Sequence, residues 1–240
     1  MTRDAPRSIR RSVLTQRWSD VAFVHWSVDP AAVAHLLPPG TVPDVVDGRT
    51  FVGLVAFRLH SLGWPRLGNV WSFPETNVRL YATDDAGRAG VVFLSMDAAN
   101  LTFSLAARAS ARLPYMWSDM TMSRSADVLS YTCRRRWPRP GATSRLTVRV
   151  GERVAQPTAL EQFLTARWGL YTTLAGRTVY LPNDHAAWDL NRATLVECEG
   201  DLVTAAGVPI SGEPVSVLHS PGVLARFGLP SRRPSRSGTS

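Results

Sequence analysis

This chain of 240 residues contains no lysine; all 27 of its basic side chains are arginine. The bias reads mainly as the codon usage of a GC-rich bacterial genome. It also has a chemical consequence, because without a side-chain amine no internal Schiff base can form. Cysteine is almost as scarce. Cys133 and Cys198 cannot build a disulfide framework, and no CxxC pair suggests zinc or redox chemistry. Long apolar runs are missing too. Val21–Trp26 and Val91–Met96 are strand-length, whereas a membrane span needs about 20 residues. There is no phosphate loop, dinucleotide glycine fingerprint, HExxH helix or GxSxG elbow. The five histidines, His25, His35, His60, His185 and His219, lie far apart without ligand spacing. No metal and no cofactor is expected.

The formal net charge of +8 is concentrated at the ends. Residues 1–17 carry +4 and residues 226–240 another +4, so residues 18–225 are neutral. A nucleic-acid domain concentrates basic charge on a folded face, so specific nucleic-acid binding is not expected and solvated tails are the better reading. Arg10-Arg11 loosely matches a twin-arginine export signal. Thr15, Gln16, Arg17, Ser19 and Asp20 then follow where such a signal needs an apolar stretch. A cytoplasmic protein is expected, with no membrane partner. Residues 1–12 and 229–240 are expected to be disordered basic tails around a single domain of residues 13–228. Nothing in the sequence excludes a homo-oligomer.

What is present is 45% hydrophobic and 19% charged residues, an ordinary globular balance. Val21–Val28 reads as a buried strand, and Asp29-Pro30 opens a short helix over Ala31–Leu37. Asp47-Gly48 signals a hairpin before a strand at Thr50–Leu59. Asn77–Thr83 and Gly90–Asp97 read as a second hairpin. Asn100 caps a helix to Ala111 that Leu113-Pro114 stops. Strands are predicted at Met116–Arg124, Val128–Arg136 and Arg145–Val150. Thr158–Glu161 is a capping box opening the helix Ala159–Arg167. Further strands are predicted at Trp168–Thr173, Arg177–Leu181, Arg192–Glu199 and Val215–His219. Many strands with a few short helices imply an α+β single domain around an antiparallel sheet or barrel.

The segment Phe73-Pro-Glu75-Thr-Asn77-Val-Arg79-Leu-Tyr81 carries the clearest chemistry. Strand alternation puts Glu75, Asn77, Arg79 and Tyr81 on one face and Thr76, Val78 and Leu80 on the other. Two readings stand for the polar face. It is either the wet side of an antiparallel sheet, or the lining of a closed sheet in which Arg79 forks onto a ligand carboxylate. In the second, Glu75 serves as acid/base or as an anchor for Arg79. Asp97 ends the partner strand and could reach the same end of the sheet. Tyr115, after the helix stop, can be aimed at the cavity or sit as a core aromatic. Arg108 on that helix reads as a buried ion-pair partner or an exposed helix charge. Glu161 reads as a cap residue, and Arg167 as packed on aromatics beside Trp168.

Together these segments resemble the YqjF-like family, a bacterial domain of unknown function placed in the acetoacetate decarboxylase-like superfamily. The resemblance covers roughly residues 14–222. It rests on Trp18–Asp20, His25-Trp26, Leu37–Gly40, Asp47-Gly48, the Phe73–Tyr81 segment, Phe93–Ala98, Arg108, Leu113–Tyr115, Leu160–Tyr171 and His185–Trp188. Thr76 departs from the family's usual leucine. The resemblance implies a barrel- or cone-like antiparallel sheet, outer helices and a central polar cavity. Decarboxylases of that superfamily use a Schiff-base lysine in a Gly-x-Pro-Lys stretch, whose place Leu113–Met116 occupies here without the lysine. The resemblance therefore implies a cavity and not that reaction. A small-molecule binder is expected, with Glu75, Asn77, Arg79, Tyr81, Arg108 and Tyr115 as ligand contacts. The alternative is an enzyme without imine chemistry, with Glu75, Asp97 and Tyr115 as catalytic candidates and Arg79 or Tyr115 stabilising an oxyanion.

Overall fold

The computed structural model describes Ile9, residues 12–61 and residues 71–232. Its strands are β1 (Leu14–Val28), β2 (Thr41–Pro43), β3 (Thr50–Ser61), β4 (Trp71–Asp84), β5 (Ala89–Ala98), β6 (Tyr115–Ser125), β7 (Val128–Trp137), β8 (Thr143–Arg153), β9 (Gly169–Leu174), β10 (Arg177–Asp184), β11 (Asn191–Gly200), β12 (Ser216–Phe227) and β13 (Ser231–Arg232). Four short helices join them: α1 (Pro30–Val33), α2 (Leu101–Ala111), α3 (Ala159–Thr165) and α4 (Leu202–Ala205). None of the helices described is long and apolar enough to cross a membrane.

All thirteen strands belong to one sheet that closes on itself twice. Strands β12, β1, β3, β4 and β5 form a shared wall. On one side β9 and β10 link β5 back to β12 and complete a ring of seven strands. On the other side β6, β7, β8 and β11 do the same and complete a ring of nine. The sequence of the shared wall explains why both of its faces are covered. Ala22, Val24, Trp26 and Val28 alternate with Val21 and Phe23 on β1, and Val52, Leu54 and Ala56 alternate with Val55 and Phe57 on β3. All of these side chains are buried, and a strand that is apolar on both faces has to be buried on both.

The first set packs with Leu129, Tyr131, Leu146 and Val148 inside the nine-strand ring. The second set faces the seven-strand ring, whose mouth α2 and α3 cover. Helix α2 starts where Asn100 Oδ1 accepts the Phe103 N–H at 2.9 Å. Helix α3 starts at the expected capping box, with Thr158 and Glu161 bonding each other's backbone N–H.

Beyond shifted element ends, such as the last long strand running on to Phe227, and the unexpected helix α4, the structure differs from the sequence reading in four places. Strand β1 begins seven residues before Val21, where polar residues had hidden its start. The sheet is mostly antiparallel, but β5 pairs in parallel with β6 and with β9, because a helix crossover precedes β6 and β9 reaches β5 from the far end of α3. Asp47 and Gly48 do form a tight turn, both with positive φ, closed by a bridge between Val46 and Arg49. The β2 strand before it nevertheless pairs with β4 and not with β3. Finally, residues 231 and 232 pair with the open edge of β10, although they fall in the stretch expected to be a tail. Unpaired edge N–H and C=O groups recruit such a segment. The Ile9 N–H likewise bonds Asp184 Oδ2 at 2.6 Å. The rest of the expected tails, residues 1–8, 10–11 and 233–240, lies outside the described residues.

Candidate functional site

A cavity of about 500 Å³ opens between the shared wall and the α2, α3, β9 and β10 cover. Glu75, Asn77 and Arg79 line it from β4, and Tyr115 lines it from the first residue of β6. The polar face of β4 is therefore closed over by protein. Glu75, Asn77 and Tyr81 are buried, and Arg79 is half-buried.

The C-terminal end of α3 organises the polar part of this wall. A helix leaves its last carbonyls without partners of its own, and its dipole favours cations there. The Phe163 carbonyl takes Arg167 Nε at 2.7 Å, and the Thr165 carbonyl takes Trp188 Nε1 at 2.9 Å. The Leu164 carbonyl takes both Arg79 Nη2 and the Tyr81 hydroxyl, each at 2.8 Å. Tyr81 also receives Arg79 Nε at 3.2 Å. Because its single proton goes to Leu164, the 2.7 Å contact with His25 has to be donated by His25 Nε2. That fixes the tautomer and leaves His25 Nδ1 buried without a partner. Burial first, and then the Arg79 charge, hold the His25 ring neutral, well below the ordinary histidine range.

Arg79 has no carboxylate partner among the described residues, and its Nη1 makes no hydrogen bond with them. It sits against the rings of Phe23 and Tyr81, at 5.6 and 5.5 Å. Glu75 does not pair with it, because the two lie four residues apart on one strand and point side by side, not toward each other. Arg167 shows the opposite arrangement. It is 4% exposed, ion-paired to Asp44, and packed 4.0 Å from the Phe163 ring and 4.8 Å from the Tyr81 ring. Its Nη2 is still unpartnered. Three lining residues thus carry buried polar atoms without a hydrogen bond: Asn77 Oδ1, Asn183 Oδ1 and Arg167 Nη2. Buried polar atoms are normally satisfied.

At the other end of the wall, the Tyr115 hydroxyl donates to Glu75 Oε2 at 3.2 Å. Glu75 is 1% exposed. Burial raises its pKa to about 8, against the opposing pull of the Tyr115 and Asn77 hydrogen bonds. Near neutral pH it is a neutral carboxylic acid.

Three of the expected site residues lie elsewhere. Tyr81 does not reach the cavity; it is fully buried behind Arg79 and ties that side chain to α3. Arg108 does not reach it either; it is ion-paired to no described residue and is not fully exposed. It donates to the Tyr115 carbonyl at 2.7 Å and lies 5.1 Å from the Trp137 ring, holding the start of β6. Asp97 faces the nine-strand ring. Its carboxylate takes Arg135 Nε and Nη2 at 2.8 and 2.7 Å and the Ser118 hydroxyl at 2.8 Å, and it is completely buried. It cannot serve as a base in the cavity.

Sequence reasoning missed Asn183, Gln16 and His185 as lining residues and His25 as the group buried behind Tyr81. One signal pointed there. Gly53 sits inside an otherwise bulky strand, which marks a close approach. A Cβ at Gly53 would lie 2.9 Å from His25 Nε2 and 3.4 Å from Arg79 Cγ.

The DUF2071 family model, described as an uncharacterized conserved protein, matches residues 15–224. The uncharacterized protein YqjF of Bacillus subtilis (strain 168) is 29% identical over 202 residues, 82% of this chain and 83% of that one. Among solved structures, an acetoacetate decarboxylase-like enzyme from Sphingomonas wittichii RW1 superposes with a TM-score of 0.60. It is 17% identical, with 95% of this chain and 96% of that chain covered. The enduracididine biosynthesis enzyme MppR complexed with pyruvate gives a TM-score of 0.56 at 15% identity, covering 92% of this chain and 90% of that one. The twice-closed sheet is the acetoacetate decarboxylase-like fold.

Proposed function

This chain belongs to the YqjF-like DUF2071 family, and from that membership we propose that it binds a small organic carboxylate in the cavity of its seven-strand ring. The observation that carries the reading is Arg79, a half-buried guanidinium on the cavity wall that has, among the described residues, a free Nη1 and no carboxylate opposite it. An unpaired cation in an apolar enclosure is costly, and a ligand anion relieves that cost through charge-assisted hydrogen bonds. Asn77, Asn183 and Arg167 offer further unsatisfied groups on the same surface. The likeness to MppR, whose structure holds pyruvate, supports the same ligand class.

The test is titration of the purified chain with carboxylates, read by calorimetry or by the tryptophans on the wall. Arg79→Leu should weaken binding by roughly 30-fold or more, as expected for a buried charge pair that loses one member. A folded Arg79→Leu protein that binds carboxylates as tightly as the wild type would overturn the reading.

One observation favours a second, catalytic reading. Glu75 is a buried neutral acid in contact with Tyr115 on the same wall, placed to donate a proton to a ligand carbonyl at the far end from the carboxylate that Arg79 holds, while water takes the proton released by the neighbouring carbon. The reaction proceeds without an imine, because the chain has no lysine. Proton exchange at the carbon next to the carbonyl of a bound keto acid, followed in deuterated water and lost in Glu75→Gln, tests it. No exchange above the buffer rate would sink it.

A further inference from the structure

We infer that the carboxylate this cavity takes carries an aromatic body of about two rings, not the short chain of a simple keto acid. The inference rests on the proposed carboxylate site and adds what fills the rest of it. The cavity of about 500 Å³ has the liquid volume of roughly 17 waters at about 30 Å³ each, and it falls within the range of about 300–1,000 Å³ that encloses drug-sized ligands. A six-atom acid anchored on Arg79 would leave well over half of it to water against a mostly apolar wall.

The wall is rich in aromatic rings, which begin beside Arg79 at Phe23. Trp18, Phe23, Phe57, Phe93, Phe103 and Trp188 all line it. Several of these rings are already locked by neighbouring rings. Trp18 and Trp188 stack at 6.1 Å, and Phe23 meets Trp188 edge-on at 5.1 Å. A wall of fixed rings favours a flat ring that adds more edge-to-face and stacked contacts. It gains less from a flexible chain, which loses rotamer freedom on binding.

The polar groups set the length. Arg79 and Glu75 lie four positions apart on β4, about 13 Å along an extended strand. With Glu75 neutral, and Arg167 already paired with Asp44, the wall places the unpaired Arg79 at one end and, among the described residues, no opposing anion at the other. Charge at one end and rings in between describe an aryl carboxylate.

The test is a comparison of four probes on the full wild-type chain: pyruvate, octanoate, 2-naphthoate and the uncharged 2-naphthamide. Each apolar carbon buried is worth about fourfold in affinity. 2-Naphthoate should therefore bind at least tenfold more tightly than pyruvate, and at least threefold more tightly than octanoate. Pyruvate binding as tightly as 2-naphthoate would overturn this inference and leave the carboxylate reading standing. Octanoate ahead of 2-naphthoate would overturn its aromatic part. 2-Naphthamide binding as tightly as 2-naphthoate would overturn the carboxylate reading itself, and no binding by any probe would overturn both.

Discussion

Replacing Glu75 by glutamine should make the protein more stable, and only above mildly acidic pH. Glutamine keeps the shape of the side chain and removes its proton. In the folded chain the Glu75 pKa lies near 8, against an ordinary 4.5, because burial disfavours the carboxylate. Between those values the folded state holds a proton that the unfolded state has released. Stability contributed by such a group is complete below the unfolded pKa and is lost as pH rises through the folded one. At about 1.4 kcal/mol for each tenfold change in proton affinity, the loss approaches about 5 kcal/mol by pH 8.5. Water entering the cavity would stabilise the carboxylate, so about half of that is a sensible lower expectation. Urea unfolding at pH 5 and pH 8.5 checks it. The two proteins should match within about 1 kcal/mol at pH 5, and Glu75→Gln should lead by about 2–5 kcal/mol at pH 8.5. The buried histidines titrate alike in both proteins and cancel in the difference. Parallel curves would refute the reasoning and show Glu75 to be a solvated carboxylate.

Three further substitutions separate the two sides of the shared wall. Asp97→Leu should cost about 3–5 kcal/mol, because it strands Arg135 in the core, and adding Arg135→Leu should restore much of that loss; denaturation of the wild type and the two variants measures it. Carboxylate affinity in the double variant should stay within about twofold of wild type, since the pair faces away from the cavity. Gly53→Ala drives a methyl against His25 and Arg79, so it should cost about 1–3 kcal/mol in unfolding experiments and weaken carboxylate binding in calorimetry. A stable Gly53→Ala protein with unchanged affinity would mean that Arg79 does not depend on this packing.

The alternation that put Glu75, Asn77 and Arg79 on one face could be read from one strand, because it is a local property of β4. Asp97 could not be placed that way. Counted back from the turn, where Thr83 faces Ala89, an unbroken ladder sets Asp97 opposite Glu75 and on its face. A bulge between the Val78 and Arg79 pairs puts it opposite Thr76 instead. One extra residue in β5 thus moves the carboxylate to the other side of the sheet. Arg135 could not be recognised as its partner for the same kind of reason, since the contact spans 38 residues and two strand pairings. The caps Asn100 and Thr158 were legible because their chemistry closes within four residues. The second ring was not, because two-residue pairings such as β10 with β12 leave no periodic trace in the sequence.

The closure of the rings also orders the folding of the chain. Strand β1, made first, pairs along nearly its whole length with β12, so that Leu14 meets Phe227 and His25 meets Ser216. Pairings this distant in sequence are formed late and slowly, because loop closure has to precede them. During synthesis one edge of β1 therefore waits, apolar on both faces, until almost the entire chain has emerged. Shortened or stalled chains that end before residue 216 would keep that edge open, and an open apolar edge invites pairing between molecules. The cavity and the main protection against aggregation are completed by the same late strand.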